Sequence, residues 1–289
     1  MNKLPQIQSL LCLLEDPDES IYRPASEQLI RRGRDVVPEL ETAWEQSLDT
    51  LLQERIEEII HRIQYSSTLN LLQEWAATGG KKLEEGAYLV ARFQYPDLDY
   101  KSLQHTLHKL KQDVWLELND NMTALEQIRV VNHILFQVHG FHGNSSNFYA
   151  PQNSFINDVL SSKKGNPIAL ALIYLYLAQE LDIPVYGVDL PKNFILAYLD
   201  EYAFTDEQNE NILFYINPYN RGTILSQKEI DYFIQQQELQ QAKSCYQPCG
   251  NVAIIKRLLL SLIQAYEKLG YPEKMTSYKN VLQAIKTIT

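Results

Sequence analysis

The sequence predicts a mainly helical α+β protein in which a small antiparallel sheet packs on a buried central helix flanked by helical segments. Three observations predict it. The run "KKGNPIALALIYLYLAQEL" opens on a glycine and a proline and continues as a helix with no polar side. Three short β-like runs follow, "VYGVDL", "FILAYLD" and "ILFYIN". On both sides of this region, apolar residues recur at helical spacing.

The central helix has explicit start signals. Asn166 is suited to cap it and Pro167 to occupy its first position, where the missing N–H is not needed. Leu170, Leu172, Ile173, Leu175 and Leu177 surround its axis, so the helix must be covered on all sides. Before it, "GFHGNSSNFYAPQNSFINDVL" is turn-rich and begins a short helix near Ser154–Leu160. After the second strand-like run, the acidic "DEYAFTDEQNEN" reads as a solvated hairpin loop, and "PYNRGTILSQKE" as a turn followed by a new helix.

Residues 4–65 read as short helices. An Asp-Pro-Asp turn ends the first. Ile21, Ala25, Leu29 and Ile30 mark the second, Gly33 suits its C′ position, and Val36, Val37, Leu40 and Trp44 open a third. Leu52, Ile56, Ile59, Ile60 and Ile63 line one side of a fourth. This pattern resembles HEAT-type repeats, and it also fits a plain helical lead-in packed on the next domain. Two helices split at Gly79-Gly80 follow, then amphipathic helices with Leu103, Leu107, Leu110, Val114 and Leu118 as a core stripe. From about Lys228 the chain is helical again, and the pair broken at Gly270 resembles one tetratricopeptide-type hairpin.

Composition narrows the function. Hydrophobic residues make up 45% of 289, enough for more than one core-forming unit. The net charge of −10 disfavours nucleic acid and anionic membranes as partners. No signal peptide is expected, because the N-terminal apolar run is interrupted by Gln, ends in acids and lacks a small-residue cleavage site, and no membrane span, because no apolar run is long enough. Cys12, Cys245 and Cys249 form no disulfide framework, and the C-x3-C pair lacks further zinc ligands, so a reducing cytoplasm is the expected setting. His139 and His142 sit in a turn with no carboxylate cluster and read as loop structure rather than metal ligands. "KKGNP" lacks the spacing of a phosphate loop, and no metal or cofactor is expected. Ser161 and Ser162 have no histidine nearby, and Glu57-Glu58 and Glu84-Glu85 read as solvated helix faces.

The run from "HILFQVHGFHGN" through "GNPIALALIYLYLAQELDIPVYGVDLPKNFILAY" to "FYINPYNRGTILS" resembles the bacterial transglutaminase-like family, with five motif elements in order over about residues 133–230. The run of segments along the chain gives an expected domain layout of 1–110 (helical, HEAT-like), 111–235 (transglutaminase-like core) and 236–289 (tetratricopeptide-like hairpin). In that fold a cysteine at the start of the central helix is activated by a histidine on the next strand and an aspartate on the one after. The matching positions here are Pro167, Asn193 and Asn217, none of which supplies a nucleophile or a base at neutral pH. All six histidines precede the central helix and no cysteine lies in the matched run.

The resemblance therefore implies a degenerate Cys-His-Asp site and a non-catalytic interaction or regulatory module whose partner is another protein. It also implies that Asn166, Asn193, Asn217 and Tyr219 gather at the mouth of the former site. The plainer alternative is that these residues cap the helix and hold the turn. The rival functional reading is an amide-bond hydrolase or acyl transferase using residues elsewhere.

Overall fold

The computed structural model describes residues 3–190, 193–200, 211–236 and 246–287. The chain divides into two compact units, Met1–Leu71 and Leu72–Thr289.

The first unit is built of helices α1 (Lys3–Leu14), α2 (Glu19–Arg32) and α3 (Val37–Gln46), and of the first part of α4 (Thr50–Ala77). The Asp-Pro-Asp turn separates α1 from α2, and the Asp18 carboxylate caps α2 by accepting from the Ser20 N–H at 2.8 Å. Leu14, Leu29, Leu40, Ile56, Ile59 and Ile63 form one core. The buried side of α2 is Tyr22, Ala25, Ser26 and Leu29; Ile21, expected inside, is exposed because it lies one residue off that stripe. Arg55 ties the unit together. Its Nη1 donates to the carbonyls of Leu14 and Asp16, each at 2.7 Å, and its guanidinium lies 4.2 Å from the Tyr22 ring centre.

Helix α4 is continuous over 28 residues, where the sequence suggested two helices. Nothing between Gln64 and Leu72 is a glycine or proline, so the polar "YSSTLN" does not break it. The Gly79-Gly80 break then leads to α5 (Leu83–Arg92), followed by α6 (Tyr100–Glu117) and α7 (Ala124–Asn132). A Thr123/Glu126 capping box starts α7, and Leu103, Leu107, Leu110 and Val114 are the buried stripe of α6. Residues His133–Val138 continue α7 as a π-helical turn.

Strand β1 (His142–Gly143) follows, then α8 (Ile156–Ser162) and β2 (Lys164–Gly165), which pairs in parallel with β1. That pairing sets the entrance to α9 (Pro167–Glu180), the expected central helix, on which every residue from Ile168 to Ala178 is buried. Strands β3 (Val185–Val188), β4 (Ile195–Leu199), β5 (Ile212–Asn217) and β6 (Thr223–Leu225) come next. They are followed by α10 (Gln227–Gln236), β7 (Pro248–Cys249), α11 (Asn251–Leu269) and α12 (Pro272–Lys286). Among the described residues the sheet order is β6-β5-β4-β3-β7, all antiparallel.

Strand alternation sends alternate side chains to two covered faces. Val188, Ile195, Ala197 and Tyr215 pack with Ile230 and Ile234 of α10, while α9 packs against β3 and β4. The fold is thus mainly helical, with a small antiparallel sheet on a buried central helix. Of the acidic stretch read as a hairpin loop, residues 201–210 lie outside the described residues; its ends are joined by the Asp200 N–H donating to Asn211 O at 2.7 Å. No helix among the described residues is long and apolar enough to cross a membrane.

Candidate functional site

A cavity of about 300 Å³ opens at the N-terminus of α9. Asn166, Pro167 and Ile168 supply one wall and Asn193-Phe194, ahead of β4, another; Phe148-Tyr149 and one side of α11 complete it. The α11 residues are Arg257, Ser261, Gln264 and Ala265; the three polar ones are spaced so that successive turns point them the same way.

At the centre is a closed hydrogen-bond relay. Asn166 Oδ1 accepts from the Ala169 N–H at 2.9 Å, which caps α9 as expected. Its Nδ2 donates to Ser154 Oγ at 2.7 Å and to Ser261 Oγ at 3.3 Å. Ser261 donates its one proton to Leu258 O at 2.8 Å. The 3.2 Å contact between the two hydroxyls is therefore a donation from Ser154 to Ser261. Every proton is committed, and the Ser154 oxygen faces an amide donor rather than a base. Neither serine is set up as a nucleophile.

The Phe148-Tyr149 wall is held from behind. Asn144 Nδ2 donates to Asn153 Oδ1 at 2.9 Å, and the buried Asn153 carboxamide donates to the carbonyls of Asn147 (2.7 Å) and Phe148 (3.1 Å). The Tyr219 ring packs on Phe148 with centroids 6.1 Å apart. Gly143 is needed there: a Cβ would lie 2.5 Å from the Tyr219 ring. The turn carrying Tyr219 is itself fixed to α7 and α9, since Asn132 donates to Gly222 O at 2.9 Å and accepts from the Tyr174 hydroxyl at 3.1 Å.

The structure thus brings Asn166, Pro167 and Asn193 to one cavity. Asn217 and Tyr219 do not line it. The Asn217 side chain accepts from the Asn220 N–H at 3.3 Å and holds its own turn, while Tyr219 braces the wall. Asn193 Oδ1 accepts from the Phe194 N–H at 2.9 Å, and its Nδ2 carries no partner among the described residues.

Ionisable groups near the cavity are arranged against thiol chemistry. Arg257 Nε donates to Asp189 Oδ1 at 2.9 Å. Cys249 lies close to that carboxylate, and burial, reinforced by the Asp189 charge, pushes its thiol up to about 12. An activated thiol needs the opposite shift. Cys245 lies outside the described residues. His139 Nε2 meets Asp113 Oδ2 at 2.8 Å and His142 Nδ1 meets Gly140 O at 2.9 Å, and neither lines the cavity. No group of three or more metal-ligating side chains occurs among the described residues. Glu84, expected on a solvated face, is buried: α5 turns it toward Tyr100, whose hydroxyl donates to Glu84 Oε1 at 3.4 Å.

Comparison with known proteins accounts for this arrangement of helix, strand and turn. The family model described as "Transglutaminase-like superfamily" matches residues 101–260, more than half of the chain. The chain belongs to the transglutaminase-like superfamily. Within it, a UPF0162 protein of Xylella fastidiosa is 32% identical over 144 residues, covering 50% of this chain and 48% of that protein. A UPF0162 protein of Vibrio cholerae is 27% identical over 153 residues, covering 53% of each. F-box only protein 21 of Mus musculus is 26% identical over 176 residues, covering 53% of this chain and 28% of that protein. The chain spans about half the length of the bacterial relatives it matches. No solved structure matches it significantly. The transglutaminase-like match runs to residue 260, so the first part of α11, with Arg257, lies in the matched region.

Proposed function

We propose that the chain is a non-catalytic transglutaminase-like module that acts by binding another protein. One observation carries this reading: the cavity at the start of α9 is lined by amides, hydroxyls, aromatics and a guanidinium, with no thiol, imidazole or carboxylate in its lining among the described residues. Pro167 and Asn193 stand there, and Asn217 is spent on its turn, where the family likeness implies the catalytic cysteine, histidine and aspartate. A shaped, largely apolar cavity with a few polar groups, and with no nucleophile or base among its described lining residues, suits recognition. In the same proposal the short helices of the first unit serve as a HEAT-like surface and α11–α12 as a tetratricopeptide-like hairpin. The unpaired thiols Cys12 and Cys249 support a reducing, cytoplasmic setting.

The test is to incubate the full chain with amide and acyl-donor substrates alongside a chloroacetamide probe. No turnover, and no labelling of Cys249 ahead of the exposed Cys12, is the expected result. Turnover that disappears on Cys249→Ala or Cys245→Ala would overturn the proposal in favour of an amide hydrolase or acyl transferase.

A further inference from the structure

Another cavity, of about 390 Å³, lies at the opposite end of α9 from the first. The 14 residues of α9 keep the two roughly 20 Å apart, at about 1.5 Å per residue. The C-caps of two helices, Leu118 of α6 and Leu181 of α9, both line it. The negative ends of two helix dipoles therefore open onto this cavity, and neither helix carries a basic residue in its own last turn.

The charged lining residues are Lys111, Asp120, Glu180 and Asp182. Lys111 Nζ donates to Glu180 Oε2 at 2.7 Å, so these two offset each other and tie α6 to α9. Asp120 and Asp182 have no hydrogen bond or ion pair among the described residues. Two carboxylates are left without a counter-charge, beside two helix ends of the same sign.

One wall of the cavity is an unemployed indole. Trp44 donates its ring N–H to Glu57 and Trp75 to Lys82 O, whereas the Trp115 N–H has no acceptor among the described residues. Trp115 is 63% exposed, and its neighbour Leu116 is exposed as well. The carboxylates do not converge as metal ligands do, since no group of three or more ligating side chains occurs among the described residues. Separated carboxylates beside an open aromatic face suit a flat organic cation. A guanidinium stacks on an indole through its plane and donates to carboxylates along its edge.

We infer that this cavity binds an arginine side chain of a partner protein, its guanidinium on the Trp115 ring and facing Asp120 and Asp182, with an adjoining apolar residue on Leu116. The inference goes beyond the proposed function, because nothing in the cavity at the start of α9 takes part. The net charge of −10 favours the approach of a basic segment.

The test titrates the full chain with N-acetyl-arginyl-leucine amide and follows the Trp115 indole N–H by two-dimensional NMR, the signal being assigned by its loss in Trp115→Phe. The arginine compound should shift that signal with a Kd at least about fivefold below that of its citrulline analogue, which keeps the shape and lacks the charge. Asp120→Asn combined with Asp182→Asn should weaken binding about fivefold. Both aspartates are exposed, and asparagine tolerates the φ of 52° at position 182, so the double variant folds. Lys111→Gln frees Glu180 and should tighten binding about twofold. No Trp115 shift up to about 10 mM, equal affinity for arginine and citrulline, full affinity in the double variant, or no gain in Lys111→Gln would overturn the inference. Spermidine binding as tightly as the arginine compound would also overturn it, in favour of a free polyamine. None of these outcomes bears on turnover, so the inference and the non-catalytic reading fail separately.

Discussion

The carboxamide of Asn166 and the hydroxyl of Ser154, 2.7 Å apart, bind the first turn of α9 to the segment that leads into α8. The same amide caps the helix and reaches Ser261 on α11, so one small side chain joins three parts of the chain. Asn166→Ala removes the cap and leaves the buried Ser154 hydroxyl without its donor. The expected cost is about 2–3 kcal/mol. Calorimetry should show a fall in Tm of roughly 5–10 °C for a unit of this size; an unchanged Tm would mean the relay is idle.

Cys249 should be a poor nucleophile. With its thiol pushed up to about 12, the thiolate fraction at pH 8 is on the order of one in ten thousand. Iodoacetamide should therefore alkylate the exposed Cys12 well before Cys249, and denaturant should remove the difference. Time-resolved mass spectrometry with fragmentation, to separate Cys249 from Cys245, provides the check. Faster labelling of Cys249 than of Cys12 in the native protein would contradict the environment described.

Glu84 makes stability depend on pH in a stated direction. Burial, with a smaller contribution from the Glu180 charge, raises its carboxyl above the ordinary 4.5, so folding favours the protonated form. Its contribution is complete below about pH 4.5 and is lost as the pH climbs toward the raised folded value. Glu84→Gln keeps an acceptor for Tyr100 and removes the charge. It should raise Tm near pH 7 and give no gain near pH 4. A gain of equal size at both pH values would rule the account out.

The first unit should depend on Arg55. Arg55→Met deprives the Leu14 and Asp16 carbonyls of their donors and removes the stack on Tyr22. A loss of about 2–3 kcal/mol is expected, with Arg55→Lys intermediate because an ammonium cannot reproduce the planar fork. Hydrogen exchange should show the effect in the amides of α1 and α2. Unaltered exchange there would count against it.

How legible these features are in the sequence follows from the range of the forces involved. Asn166, Pro167, Gly33 and Gly270 act within one helical turn, and each stands where its local chemistry predicts. The burial of α9 is likewise readable, because a helix with no polar side has only one stable location. Strands β6 and β7 are short and owe their existence to neighbours distant in sequence, which no local pattern encodes. The π-helical turn at His133–Val138 has no breaker to announce it. The contribution of α11 to the cavity left one detectable trace. In "IIKRLLLSLIQAY", Arg257, Ser261 and Gln264 recur at i, i+4 and i+7, a polar stripe on an otherwise apolar helix. Asn217 and Tyr219 differ in kind: neighbouring them in the fold was inferable, but whether a side chain faces a cavity or its own turn depends on a rotamer that spacing does not determine.

The all-apolar surface of α9 has a consequence for synthesis. Helices α5, α6 and α8, which cover part of it, leave the ribosome first, whereas β3, β4 and α11 are made only afterwards. Until α11 has been made, a nascent chain carries a greasy cylinder with one flank bare, at a length where sticky intermediates engage one another. Chaperone engagement should accordingly peak between the completion of Glu180 and the emergence of Leu269, and stop codons placed inside that interval should yield insoluble fragments.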